Sequence, residues 1–219
     1  MTGSQHRPPE RAWFRRDALD LARDLLGSVL VRRTPEGTVA IRITEVEAYR
    51  GSEDPASHAY HGLTARNAVM FGDAGHLYVY RHLGLHHCAN VVAGEPGLAG
   101  AVLLRAGQVV EGADLARARR QAAGVCRTDR DLARGPARLA VAAALTLSDD
   151  GADVVEHRGA VEEGDDGDAS VMLRPGPRLP DAEVAHGPRV GVTGAGAWAA
   201  GLPYRFWVAG DPNVSDYRR

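Results

Sequence analysis

Two carboxylates and a phenol, each two residues apart, pose the first chemical question of this sequence. In "VAIRITEVEAYRGSEDPASHAY" (39–60), Val39, Ile41 and Ile43 alternate with more polar residues, as on a half-buried strand. Side chains on a strand alternate faces, so the same parity predicts Glu45, Glu47 and Tyr49 on the face that those aliphatics present to the core. A carboxylate there must be paired, neutralised or used. An ion pair between Glu47 and Arg42, or another arginine, is the plain structural account.

Histidines and further aromatics follow. His58 and His61 stand three apart in a long loop, and Glu47 or Asp54 would extend them to a zinc ligand set. The run "HLGLHH" (82–87) offers a second set, with His82 and His86 four apart. That spacing suits a helix, whereas Gly84 and the alternating flanks argue for a hairpin. Surface or hydrogen-bonded histidines account for both groups without a metal. Tyr78 and Tyr80 share a predicted strand face with His76, either as cross-strand packing or as a flat wall on which an electron-poor or cationic base stacks. "GPARL" (135–139) sets backbone N–H groups at a helix start beside Arg134 and Arg138. That is a ready anion site, and equally an ordinary capped helix.

The elements that must position these groups read as one mixed domain over 1–219, without repeats or a clear linker. An amphipathic helix is predicted over 10–26, with Phe14, Ala18, Leu21, Ala22 and Leu25 on one stripe and Gly27 as its stop. Strands follow at 28–33 and 38–49, then a long loop at 50–75 of the kind usually tied to function or disorder. Further strands are predicted at 76–80, 86–92 and 101–106, helices at 112–123 and 135–147, and a late strand pair in "PRVGV" and "YRFWVAG". Residues 1–9 read as a flexible tail, and 148–170 as an acidic, solvated excursion.

Composition bounds the rest. The 219 residues, 44% hydrophobic and 25% charged, suit an ordinary globular chain able to bury a core. No apolar run approaches the roughly 18–20 residues that span a bilayer, and the polar start "MTGSQHRPPERAW" has no signal-peptide apolar region. Cys88 and Cys126 match no zinc or redox spacing, which fits a reducing cytoplasm. The net charge is −2, yet residues 1–140 hold 19 arginines against 15 acids and residues 141–219 hold 7 against 13. Such asymmetry permits an anionic partner on one face. All 26 cationic side chains are arginine; the chain has no lysine.

With these residues in place, "TEVEAYRGSEDPASHA", "TARNAVMF", "GHLYVYRHLGLHHCANVV", "GAVLLRA" and "LARGPARLAVAAAL" resemble, in that order, the core of the alkyladenine DNA glycosylase family, the DNA-3-methyladenine glycosylases of the mammalian methylpurine type. "PRVGV" and "YRFWVAGDPNVS" are similar to its C-terminal strand pair, so the resemblance runs from about residue 10 to about 215. It implies an α+β fold, a curved and largely antiparallel sheet with surrounding helices. It also implies a bacterial, nucleoid-associated enzyme that flips alkylated or deaminated purines out of duplex DNA and hydrolyses them off. In that role Glu47 resembles the general base and Arg105 its partner in holding the water. Tyr49 and Tyr80 would sandwich the base, His58 contact it or the sugar-phosphate, and Asn90 reject the exocyclic amine of guanine. Arg66, Gly135 and Arg138 resemble phosphate contacts. Where the family commonly places a wedging tyrosine, this sequence has Leu83, an apolar wedge that stacks less well.

The implied reaction needs only a nucleophilic water, with no metal or cofactor; the partner is damaged double-stranded DNA, not a membrane, and a monomer suits DNA scanning. Without a lysine to form a Schiff base, the enzyme is expected to leave an intact abasic site. Two other readings stand beside this one: a metal-dependent hydrolase built on His58 and His61 or on His82 and His86, and a damage-binding protein without catalysis.

Overall fold

The computed structural model describes residues 10–155, 169–192, 198–199 and 201–216. In place of one helix over 10–26, it has α1 (Arg11–Phe14) and α2 (Ala18–Leu25). The Asp17 carboxylate accepts the Leu19 N–H at 2.8 Å and so caps a fresh helix start. The predicted stripe is nonetheless intact, since Phe14, Ala18, Leu21, Ala22 and Leu25 are all buried.

Among the described residues, eight strands form one antiparallel sheet: β1 (Val29–Thr34), β2 (Gly37–Arg50), β3 (Leu77–His82), β4 (His86–Ala93), β5 (Gly100–Glu111), β6 (Ser170–Arg174), β7 (Val184–Gly187) and β8 (Arg205–Val208). The main path runs β3-β4-β5-β2-β1-β6. Helices α3 (Ala113–Ala123) and α4 (Pro136–Ala142) pack on each other, and α4 packs on β4 and β5. The fold is α+β, a single domain, as the sequence predicts.

Strand β2 organises the molecule. One edge pairs with β5 along its length, while the other is divided between β1, which takes Gly37–Arg42, and β8, which takes Glu45–Glu47. At the division the ladder is irregular. Ile43 faces Gly107 and Glu45 faces Ala106, leaving Thr44 unmatched; Val46 then faces Leu104, leaving Arg105 unmatched. An inserted residue sends every later side chain to the opposite face. The core accordingly takes Val39, Ile41 and Ile43 before the bulge and Val46 and Ala48 after it. This corrects the parity prediction: Glu45, Glu47 and Tyr49 point away from the aliphatic core. Gly107 permits the close approach, because a Cβ there would stand 2.5 Å from Ile41 Cγ2 and 2.6 Å from the Arg42 carbonyl oxygen.

The helices therefore cover one face of the sheet, with α2 and α4 burying Leu21, Leu25, Leu139 and Ala142 against Val79, Val91 and Leu104. On the other face, a smaller cluster of Ala59, Met70, Tyr78, Val92 and Ala101 packs the long loop against β3, β4 and β5. That second face carries the site.

Three further predictions are adjusted. The helix expected over 135–147 ends at Ala142, where Ala144 adopts φ 49° and the Leu145 N–H returns to the Ala140 carbonyl at 2.8 Å. "PRVGV" is irregular, and its expected place beside β8 belongs to Val184–Gly187. The beginning of the acidic 148–170 stretch is folded against β3, not extruded. The Leu77 N–H donates to the Ala152 carbonyl at 2.8 Å, the Val79 N–H donates to Asp150 at 2.9 Å, and Asp149 pairs with Arg32 at 2.8 Å. Residues 148–153 thereby cover an otherwise open sheet edge. Residues 156–168 and 1–9, where the excursion and the tail were expected, lie outside the described residues. Among the described residues, no helix is long and apolar enough to cross a membrane.

Candidate active site

Glu47 is completely buried, and both of its oxygens are engaged. Oε1 accepts from Arg105 Nη1 at 3.1 Å and from the Val190 N–H at 2.7 Å, while Oε2 accepts from the Tyr49 hydroxyl at 2.9 Å. Burial pushes its carboxyl above the usual range; Arg105, the Val190 N–H and Tyr49 pull it back in part. The predicted partner Arg42 is elsewhere, bonded to Gln108 and Asp211.

Above Glu47, Tyr49 joins the wall of a cavity of about 340 Å³ that also takes in His58, Tyr78, Tyr80 and Asn90. Four of the residues predicted for a base pocket thus converge on one space. Tyr78 and Tyr80 stack at 5.6 Å with ring planes 26° apart, and His58 meets Tyr80 edge-on at 4.5 Å. His58 Nδ1 lies 2.9 Å from the Tyr78 hydroxyl. Asn90 donates from Nδ2 to the Tyr78 carbonyl at 3.0 Å, which fixes the orientation of its amide.

The phenol walls of this cavity and the His58 imidazole are uncharged at neutral pH. Burial raises the hydroxyls of Tyr49, Tyr78 and Tyr80, so all three remain protonated. Burial lowers His58, and the nearby charges of Arg66 and His82 lower it further, so the imidazole is neutral. A planar aromatic box with neutral walls suits a flat heterocycle, and electron-rich ring faces favour a cationic one.

Other predicted residues lie around this space. Arg66 is exposed and stands over the Tyr80 ring at 5.6 Å. Leu83 occupies the tip of the β3–β4 hairpin at φ 49° and is 80% exposed, beside a similarly exposed Leu85. Gly135 precedes the short helix α4, and Arg138 on that helix pairs with Asp131 at 3.4 Å. Arg105, Arg134 and Arg138 line a second cavity of about 380 Å³ together with Val190 and Ser215.

The histidine metal sets do not assemble. Among the described residues, no group of three or more His, Cys, Asp or Glu side chains is placed to hold a metal ion. Asp54, the supposed ligand, is bound by Arg189 through two contacts of 2.5 and 2.8 Å.

That arginine is one of several site residues that no local pattern marks. Arg189 is buried, donates to the Ala48 carbonyl at 2.9 Å, and lies over the rings of Tyr49 at 4.6 Å and Tyr204 at 5.3 Å. It fixes the Tyr49 ring through cation–π contact and holds the 188–192 segment so that the Val190 N–H reaches Glu47. Glu45, Arg205 and Ser215 complete the buried network around Arg105.

Set against known proteins, residues 12–212 match the family model of methylpurine-DNA glycosylase. The chain belongs to that family, and as a member it is a DNA glycosylase, a hydrolase of N-glycosyl bonds. Three relatives carry the name "Putative 3-methyladenine DNA glycosylase". One from Streptomyces avermitilis is 50% identical over 211 residues, covering 96% of this chain and 92% of its own length. One from Leifsonia xyli is 49% identical over 217 residues, with 96% and 93% covered. One from Nocardia farcinica is 48% identical over 203 residues, with 90% and 86% covered.

Proposed function

We propose that this chain is a monofunctional glycosylase that flips damaged purines out of duplex DNA and hydrolyses them, leaving an abasic site. The damaged bases are 3-methyladenine, 7-methylguanine, hypoxanthine and ethenoadenine. The observation that carries the reading is Glu47, a buried carboxylate shared by Arg105 and by Tyr49 at the wall of an aromatic cavity. The relatives' names point the same way.

In this reading Glu47 accepts a proton from a water held with Arg105. The water oxygen bonds to C1′ as the C1′–N bond breaks, and the base leaves with the electron pair. Glu47 also stabilises the positive sugar that develops. Tyr49 and Tyr80 sandwich the base, His58 meets its edge or the sugar-phosphate, and Asn90 excludes an exocyclic amine. Arg66, Arg138 and the Gly135 helix start contact phosphates, and Leu83 fills the space the base vacates. No metal or cofactor takes part, and the enzyme acts as a monomer.

Duplexes carrying one hypoxanthine or one stable 3-methyladenine analogue test this in the presence of EDTA, with and without hot alkali afterwards. Strand breaks should appear only after alkali, and Glu47→Gln should lower their rate by about 100-fold or more. Breaks abolished by EDTA would favour the metal-dependent hydrolase. No breaks, with tight lesion binding retained, would favour the damage-binding protein.

A further inference from the structure

Arg105 is shared between two carboxylates, and only one of them has a part in the reaction proposed above. Its Nη1 meets Glu47 at 3.1 Å, whereas its Nε donates to Glu45 Oε1 at 2.9 Å. Glu45 is fully buried and draws three further donors: Arg205 Nε at 2.6 Å, the Ser215 hydroxyl at 2.9 Å and the Ser215 N–H at 2.7 Å. The Ser215 hydroxyl in turn accepts from Arg105 Nη2 at 3.4 Å. Two guanidiniums and two carboxylates therefore form one neutral buried chain, running Arg205, Glu45, Arg105, Glu47.

An arginine facing a single carboxylate tends to close on it with both prongs of its fork. Arg105 does not. With Nε tied to Glu45 and Nη2 to Ser215, only Nη1 is left for Glu47, and it reaches one oxygen. The other oxygen stays with the hydroxyl of the pocket-lining Tyr49. Arg205 balances Glu45, so that Glu45 does not take Arg105 entirely. The bulge makes the grouping possible, because Thr44 and Arg105 are left unmatched on their strands beside Glu45. Ser215 lies beyond the 12–212 family match.

We infer that Glu45, closed in by Arg205 and Ser215, is a positioning residue that holds Arg105 to one oxygen of Glu47 and so leaves the other, which among the described residues accepts only from Tyr49, able to take a water as well. The inference rests on the proposed function for its catalytic consequence.

Single-turnover excision of hypoxanthine by Glu45→Gln and Ser215→Ala, alone and combined with Glu47→Gln, tests it. Glu45→Gln should lower the rate by about 10- to 100-fold with lesion affinity nearly unchanged, and Ser215→Ala by about 3- to 10-fold. In the Glu47→Gln background neither change should matter further, because both act through Glu47. The titratable and charged groups around Glu47 are Arg105, Glu45, Tyr49, Tyr80, Cys88 and Arg189. Removing the Glu45 charge should move the Glu47 titration to lower pH. The infrared carbonyl band that Glu47→Gln deletes reports this without any excision. Wild-type rates in folded variants, or equal losses in the Glu47→Gln background, overturn the inference. Should Glu45→Gln not fold, Ser215→Ala, which sits near the surface, decides alone by the same comparison. A wild type inert toward every lesion duplex overturns the proposed function instead, and the infrared titration of Ser215→Ala, which keeps the Glu45 charge, then decides whether the network governs Glu47 through Arg105: a shift supports it, and no shift overturns it.

Discussion

Glu47 is both the reactive group proposed and a local weakness of the fold. Its folded pKa lies above the ordinary 4.5, chiefly because burial disfavours the charge. Between the unfolded and folded values the folded state binds more protons, so stability falls as pH rises through that window. Glu47→Gln is neutral throughout and keeps an acceptor for Arg105 and the Val190 N–H. The variant should therefore melt at or above wild type at pH 7–8, with the difference shrinking as pH falls toward the ordinary carboxylate range. The acid limb of the wild-type excision rate should likewise lie above the ordinary 4.5. Melting curves and rate profiles across pH check both; a deficit in the variant that grows as pH rises would mean that Glu47 stabilises the fold as an ion.

At the scale of elements, the β3–β4 hairpin and the β2 bulge do the positioning. The hairpin places Leu83 at its tip in a left-handed conformation, φ 49°, with 80% of its surface open. A leucine there costs about 1 kcal/mol relative to glycine, which a packing role inside the protein does not explain. Leu83→Gly should keep or raise the melting temperature and weaken binding to a duplex with a flipped-base analogue by about tenfold, while Leu83→Tyr should strengthen it. Fluorescence anisotropy measures the affinities, and equal values for all three proteins would remove Leu83 from the wedge role.

For the molecule as a whole, the lack of lysine and the distribution of arginine matter most. The basic stretch at 116–138 is partly neutralised: Arg117 pairs with Asp114 and Asp129, Arg119 with Glu36, and Arg134 with Asp216, whereas Arg127 and Arg130 stand exposed. The chain has no side-chain amine to attack C1′. Borohydride added during turnover should therefore trap no covalent protein–DNA adduct. A trapped species would assign an amine nucleophile and replace the water mechanism.

Several features were legible in the sequence because they are local or ordered along the chain. The buried stripe of α2, the β1–β2 hairpin, the Tyr78 and Tyr80 face and the motif order around Glu47 and Tyr49 all follow from residue type and spacing. The α+β class came with the family resemblance, and the geometry bears it out; Tyr49, His58, Tyr80 and Asn90, which the same resemblance named, line one cavity. The direction of Glu47 was not legible. A bulge at Thr44 leaves no mark in the alternation, because the inserted residue is itself buried and the flanking apolar residues continue on the new parity. The partners of the carboxylates were hidden for a different reason. Arg105 lies 58 residues from Glu47, Val190 lies 143 residues from it, and Ser215 lies 170 residues from Glu45. The sequence by itself determined which groups were present and the family to which they belong. Tertiary structure alone decided that the carboxylates turn from the aliphatic core to the pocket face, because register and long-range closure belong to the paired strands rather than to any one of them.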